Sequence, residues 1–363
     1  MKELGDAEYE ECDKKQLSSY SNKRNMSKRQ SNMELLRIIA MLLVLVVHAN
    51  FKSIGVPTLN ELENAPLPSF LRLFSQAMSI VCVNSFILIS GWFGIRAKIL
   101  RFSEFIFQVL FIGLIVYYVM YTLDIVTAWG ISDWIKLFTF RRGDSLWFVY
   151  SYIVLYVFTP ILNEFVENTS RQVFKRVLVS FFVIQTCLGY IDSYEFFAAG
   201  YSPLSFMGLY LLARYFRIYP SKLTSLGKNH DICIYVSMVF LITISAFAFK
   251  ILTGKGISFI FDYSSPLILL ASSYFFLFFT KISFYNKAIN WIASSSFAVY
   301  LFHADPLIFE PYYLDTIRCW HTNSTLPLFI LQTSGLIITV FSVSILLDKI
   351  RLFIWNRLYR IIQ

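Results

Sequence analysis

The chain has 363 residues, of which 56% are hydrophobic and only 15% charged, whereas soluble domains carry roughly 25% charged residues. An ordinary soluble globule is excluded. The formal charge of +9 is spread between apolar blocks, so no compact basic domain exists to hold nucleic acid, and the five cysteines show neither a disulfide framework nor metal-ligand spacing.

In chain order, residues 1–32 carry seven basic and six acidic residues with almost no branched apolar side chain, and read as a disordered cytoplasmic tail. No cleavable leader is expected, because the first apolar run follows this charged stretch and continues to spanning length. Beyond it, apolar blocks of roughly 17 to 25 residues, long enough for a hydrocarbon core of about 30 Å, predict spans near 33–51, 76–95, 103–123, 146–163, 175–191, 204–219, 232–252, 262–280, 288–308 and 327–347. The expected fold is an all-α integral membrane protein, a polytopic bundle of about ten transmembrane helices over 33–347. Residues 348–363 read as an amphipathic segment on the inner membrane surface. By the alternating loops, Lys and Arg divide 24 to 8, which predicts a multi-pass protein of the cell (inner) membrane with both termini cytoplasmic.

Ionisable residues inside spans are costly and mark functional positions. In the first span, eleven steps of about 100° place His48 within roughly 20° of Arg37 on one face, about 16 Å farther along the axis. Glu34 sits one turn before Arg37 and can pair with it. Arg37 alone also fits an interfacial anchor, and His48 alone a helix cap. The second span carries Asn84 and Ser90-Gly91, read as interhelical bonding and close-packing positions. Arg96, Lys98 and Arg101 fall in a short inner loop, with Arg214 and Arg217 closing the sixth span on the same side. They suit phosphate groups and equally a positive-inside role. Trp147, at the outer start of the fourth span, reads as a belt anchor or as a ring for sugar stacking. The ninth span puts Ser296, Tyr300 and His303 on one stripe. It runs in the same direction as the first, so His303 and His48 fall at similar depth.

Four ordered segments carry a resemblance. Glu34-Leu35-Leu36-Arg37, followed by ten residues and His48, is similar to the acidic-x-x-Arg-x10-His signature of the acyltransferase-3 membrane proteins, which O-acylate bacterial surface polysaccharides and other extracytoplasmic acceptors. Val83 to Gly91 resembles that family's second-span pattern ending in Ser-Gly, Leu146-Trp147-Phe148 its Leu-Trp-Phe, and Val299 to His303 its late Tyr-Leu-x-His. Two positions depart from it. Lys98-Ile99-Leu100-Arg101 has lysine where many members carry the first Arg of Arg-x-x-Arg, and Ser145 stands where a more polar residue is frequent.

The resemblance implies an O-acetyltransferase with no permanently bound cofactor. Acetyl-CoA or another short acyl-CoA is the cytoplasmic co-substrate, and a surface glycan or lipid-linked sugar is the acceptor. His48, Arg37 and Glu34 form the expected catalytic set, with His48 as general base or as covalent acyl carrier. Arg96, Lys98, Arg101, Arg214 and Arg217 are expected to hold the CoA phosphates, and Trp147, Tyr300 and His303 the acceptor. The rival class is a transporter or flippase for a glycan or organic anion, with the histidines relaying protons.

Overall fold

A computed structural model describes residues 30–140, 143, 146–192 and 196–362; the expected disordered tail lies almost wholly outside them. Among the described residues the chain is helical, with no strand, and eight helices are long and apolar enough to cross a membrane, nine if one pair bent by 61° counts as a single span. It is an all-α, multi-pass membrane bundle.

Helix α1 (Ser31–Val47) lies near the centre of the bundle, in contact with helices from both halves of the chain. It starts two residues before the expected boundary because its polar beginning is satisfied by other helices: Ser31 Oγ donates to Asn290 Oδ1 at 2.9 Å, and Asn32 Nδ2 donates to the Phe279 carbonyl at 2.8 Å. Beyond Val47 the winding loosens into a π-helical turn, His48–Lys52, a local insertion common at functional sites. After the short α2 (Leu59–Asn64), the expected second span is two helices, α3 (Pro66–Ser79) and α4 (Cys82–Phe93), with a break at Ile80-Val81. Next come α5 (Ile99–Thr122), the short α6 (Ile131–Phe138), α7 (Trp147–Asn168) and α8 (Arg171–Ile184).

The expected span 204–219 forms α9 (Pro203–Ile218), 16 residues or about 24 Å long, shorter than a hydrocarbon core of about 30 Å. Pro203 opens it and Pro220 prevents its extension. It is held inside the bundle, where Tyr210 and Ala213 are fully buried, so lipid thickness does not dictate its length. At its crossing with α4, a Cβ on Gly91 would stand 2.4 Å from the Tyr210 carbonyl oxygen. The two backbones therefore touch, as the Ser90-Gly91 pair suggested.

Helices α10 (Lys228–Thr253) and α11 (Pro266–Thr280) pack on each other. The expected ninth span is discontinuous: α12 (Lys287–Ala293) and α13 (Ser296–His303) are followed by a bend at Pro306, a π-helical turn Phe309–Leu314, and α14 (Asp315–Asn323).

Helix α15 (Leu326–Ile362) is 37 residues long and runs unbroken through the boundary expected at 347–348, a stretch with neither Gly nor Pro after Gly335. Its face towards the bundle is ionic here. Arg351 Nε and Nη2 donate to Asp348 at 2.9 and 3.0 Å, and Gln108 of α5 donates to Asp348 Oδ1 at 2.8 Å. Ile350 and Phe353 point away from the bundle.

Candidate active site

Two helix irregularities bring the two imidazoles together. His48 opens the π-helical turn after α1, and His303 is the last residue of α13. His48 Nδ1 lies 2.8 Å from His303 Nε2, and His303 Nδ1 lies 2.6 Å from the Val299 carbonyl oxygen. Because a carbonyl only accepts, His303 carries its proton on Nδ1 and presents the Nε2 lone pair. His48 must then donate through Nδ1–H. In a neutral His48 this leaves Nε2 as the basic nitrogen, and the tautomers of both rings follow from one backbone oxygen. His303 is fully buried behind His48, boxed by Phe309 at 6.1 Å and Tyr313 at 5.5 Å between ring centroids. Tyr313 is itself anchored, its hydroxyl donating to the Leu45 carbonyl at 2.8 Å.

In front of His48 lies a cavity of about 30 Å³ bounded by Met41, Val44 and Val47 of α1, Val83 and Phe86 of α4, and Trp147, Tyr263 and Tyr300. Its volume suits a water or two, so a reactant has to part the side chains around it. Tyr300 borders it with its hydroxyl 3.3 Å from the Phe148 backbone N–H. Trp147 is a wall of the cavity rather than a belt residue facing lipid, packed edge-on against Tyr201 at 4.4 Å and against Phe206 at 6.0 Å.

The α1 side of this cavity descends to Met41, one turn from Arg37. There Arg37 pairs with Glu34 at 2.9 Å and lies 5.9 Å from the Phe93 ring centroid. Arg217 approaches the same ring at 5.8 Å and donates to the Trp92 carbonyl at 2.5 Å. Arg214 packs beside Gly94, which ends α4 with φ +72°. Three guanidinium groups thus gather at the C-terminal end of α4, where the helix dipole favours positive charge. Arg96, Lys98 and Arg101 follow directly and are exposed; Tyr156 fixes their backbone, accepting from the Lys98 N–H at 2.9 Å.

The arrangement divides the residues singled out in the sequence. His48, Trp147 and Tyr300 border the cavity, His303 stands behind His48, and Arg37 with Glu34 lies about 16 Å from His48 along α1. Of the other walls, Cys82, Tyr263 and Phe297 carry no signal in the sequence beyond being apolar or aromatic. One indirect cue exists: Asn84 Nδ2 donates to the Tyr263 carbonyl at 3.1 Å and to Ser272 Oγ at 3.3 Å, and so pins the Tyr263 segment to α4. Among the described residues no three His, Cys, Asp or Glu side chains gather as metal ligands.

The four resembling segments, distant in sequence, meet around one cavity, to which His48, Val83, Phe86, Trp147, Phe148 and Tyr300 contribute. Compared with known proteins, residues 30–349 match the model of the acyltransferase-3 family, described as an acyltransferase domain. No curated protein and no solved structure matches the chain. The match takes in every segment that builds the cavity and the arginine cluster, and the chain belongs to the acyltransferase-3 family of membrane acyltransferases.

Proposed function

We propose that the protein transfers an acetyl or other short acyl group from cytoplasmic acyl-CoA to a hydroxyl of an extracytoplasmic polysaccharide or glycolipid. The observation that carries this reading is the His48–His303 hydrogen bond beside a cavity whose α1 wall leads down to the Arg37 cluster. The basic excess on alternate loops supports an orientation with both termini in the cytoplasm, the arginine cluster inward and His48 towards the outer side.

In the reaction proposed, the CoA phosphates engage Arg37, Arg214 and Arg217, with Arg96, Lys98 and Arg101 at the approach. Charge-assisted contacts there keep the anionic end of the donor from being buried unpaired. The pantetheine arm rises along the face holding Arg37, Met41 and Val44, which brings the thioester carbonyl beside His48. His48 Nε2 takes the proton of the acceptor hydroxyl as its oxygen attacks that carbonyl. The C–S bond breaks, and the CoA thiolate leaves and is protonated by the imidazolium. His303 accepts the Nδ1–H bond throughout, orienting the ring and stabilising its charged form. The same nitrogen can instead attack the thioester first and pass the acyl group on; both routes need Nε2 unprotonated.

Isolated membranes given radiolabelled acetyl-CoA, followed by mass spectrometry of surface glycans, test the proposal. Label should enter O-esters in a His48-dependent manner, with His48→Ala lowering the rate by about 10² or more. Ligand flux across vesicles with no acetyl-CoA consumption would establish the transporter reading instead.

A further inference from the structure

Beyond the His48 cavity, on the far side of its Trp147–Tyr263 wall, lies a second constellation. Three rings pack on one another: Trp147 on Tyr201 at 4.4 Å, Tyr201 on Tyr263 at 5.0 Å, and Trp147 on Tyr263 at 6.2 Å. They stand at or before the N-terminal ends of α7, α9 and α11, the ends nearest His48. Asp262 directly precedes Tyr263 of this platform in the chain. Its half-buried carboxylate has neither a hydrogen-bond donor nor a cation among the described residues. Next to it the Ser264 and Ser265 hydroxyls are buried, and among the described residues they too lack a hydrogen-bond partner. A carboxylate kept near a membrane bundle with no cation is costly unless a ligand supplies donors.

The platform is held rigidly. Ser151 Oγ donates to the Tyr201 carbonyl at 2.7 Å, and the Ser264 N–H donates to the Ala199 carbonyl at 3.3 Å. Ala198, Ala199 and Gly200 all adopt left-handed backbone conformations, with φ of 42°, 52° and 94°. A Cβ on Gly200 would stand 2.7 Å from the Ser264 nitrogen, so this strained loop is pressed against the segment bearing Asp262. Strain of this kind persists where surrounding structure enforces it, and concentrates at functional positions.

We infer that Trp147, Tyr201 and Asp262 form a pyranose-binding subsite that presents the acceptor sugar to the His48 cavity. The apolar C–H face of a sugar ring suits an indole and a phenol whose rings are already fixed. Two neighbouring sugar hydroxyls can donate to the two oxygens of a carboxylate in charge-assisted bonds. A site built this way rejects analogues lacking those hydroxyls, since the carboxylate would then be left unpaired. This inference rests on the acyl-transfer reading and narrows its acceptor to a pyranose with free adjacent hydroxyls.

The test separates sugar binding from turnover. Full-length protein in nanodiscs is titrated with methyl pyranosides of differing hydroxyl configuration, with binding followed by saturation-transfer NMR. In parallel, acetyl-CoA binding is measured without any sugar, and acetyl transfer to the pyranoside is measured with both present. At least one methyl pyranoside should bind, its derivative with two adjacent hydroxyls methylated should not, and Asp262→Asn should weaken pyranoside binding about tenfold while leaving acetyl-CoA binding unchanged. The subsite is overturned if no pyranoside binds the wild type, if Asp262→Asn binds the pyranoside as well as wild type, or if the variant loses acetyl-CoA binding together with it. Pyranoside binding with no acetyl transfer to any bound pyranoside would instead sink the transferase reading and leave the subsite standing.

Discussion

At the scale of single residues, the chemistry depends on which nitrogen of His48 is free, and that is decided one residue away. His303 Nδ1 is committed to the Val299 carbonyl, so only its Nε2 can receive His48. Replacing His303 with Ala removes the acceptor and frees the His48 ring to rotate or change tautomer. Acyl transfer should fall by about 10- to 100-fold, the size of loss seen when the partner that orients a metal-bound imidazole is removed, with the KM for acetyl-CoA little changed. His303→Gln keeps an acceptor oxygen and should recover part of the rate; equal loss in both variants would leave His303 a merely structural residue. Arg37→Ala should act in the opposite way, raising the KM for acetyl-CoA about tenfold as a charge-assisted contact is lost. Steady-state kinetics on membranes of matched protein abundance distinguish the two. In the sequence, the similar depth of the two histidines was readable from helix direction, and Arg37 and His48 could be placed on one face by counting turns. That one imidazole stands behind the other was not, because it depends on the helix α13 ending at His303 and on rings from a segment beyond Pro306.

At the scale of elements, the site exists because several helices are imperfect. The π-helical turn at His48, the break at Ile80-Val81, and the bend after His303 interrupt what hydropathy reads as continuous apolar blocks. Interrupted helices at membrane depth are tolerated where they line a cavity or are buried in protein. Hydropathy located the blocks because lipid demands apolar length, and it was silent about the breaks because Ile80-Val81 and His48 sit among residues that suit a helix. The close contact of α4 and α9 was readable from Ser90-Gly91 as a small-residue surface, though its partner helix was not. Gly91→Val should be costly, since its Cβ position is occupied by the Tyr210 backbone and α9 cannot recede without dragging Arg214 and Arg217 from the end of α4. A loss of about 1–3 kcal/mol, seen as a lower unfolding midpoint in detergent, is expected, together with weaker acetyl-CoA binding. Ser90→Ala removes a hydroxyl that donates to the Phe86 carbonyl of its own helix and adjoins the Tyr152 hydroxyl; it forces no backbone apart and should lower the midpoint far less.

At the scale of the whole molecule, the count of crossings decides on which side the ends of the bundle lie. Eight long helices and one bent pair make nine crossings, which would put the start of α1 and the end of α15 on opposite faces. With α9 the number is ten and they share a face. The packing of α9 favours ten. Its first turns meet the wall of the His48 cavity, where Phe206 lies against Trp147, and its last turn meets the C-terminal end of α4, where Arg217 bonds to the Trp92 carbonyl. A helix that reaches from that wall to the C-terminal end of α4 traverses the same slab, and its 16 residues suffice because neighbouring helices rather than lipid surround its middle. With the basic loops inward, single cysteines placed at Gln30 and Arg357 in a background lacking the native thiols should resist a membrane-impermeant maleimide in intact cells and react after permeabilisation. A variant keeping Cys319 alone of the native thiols, exposed on α14 and on the side of His48, should react without it. Labelling of position 357 but not position 30 in intact cells would mean that α9 does not cross and that the two ends of the bundle lie on opposite faces.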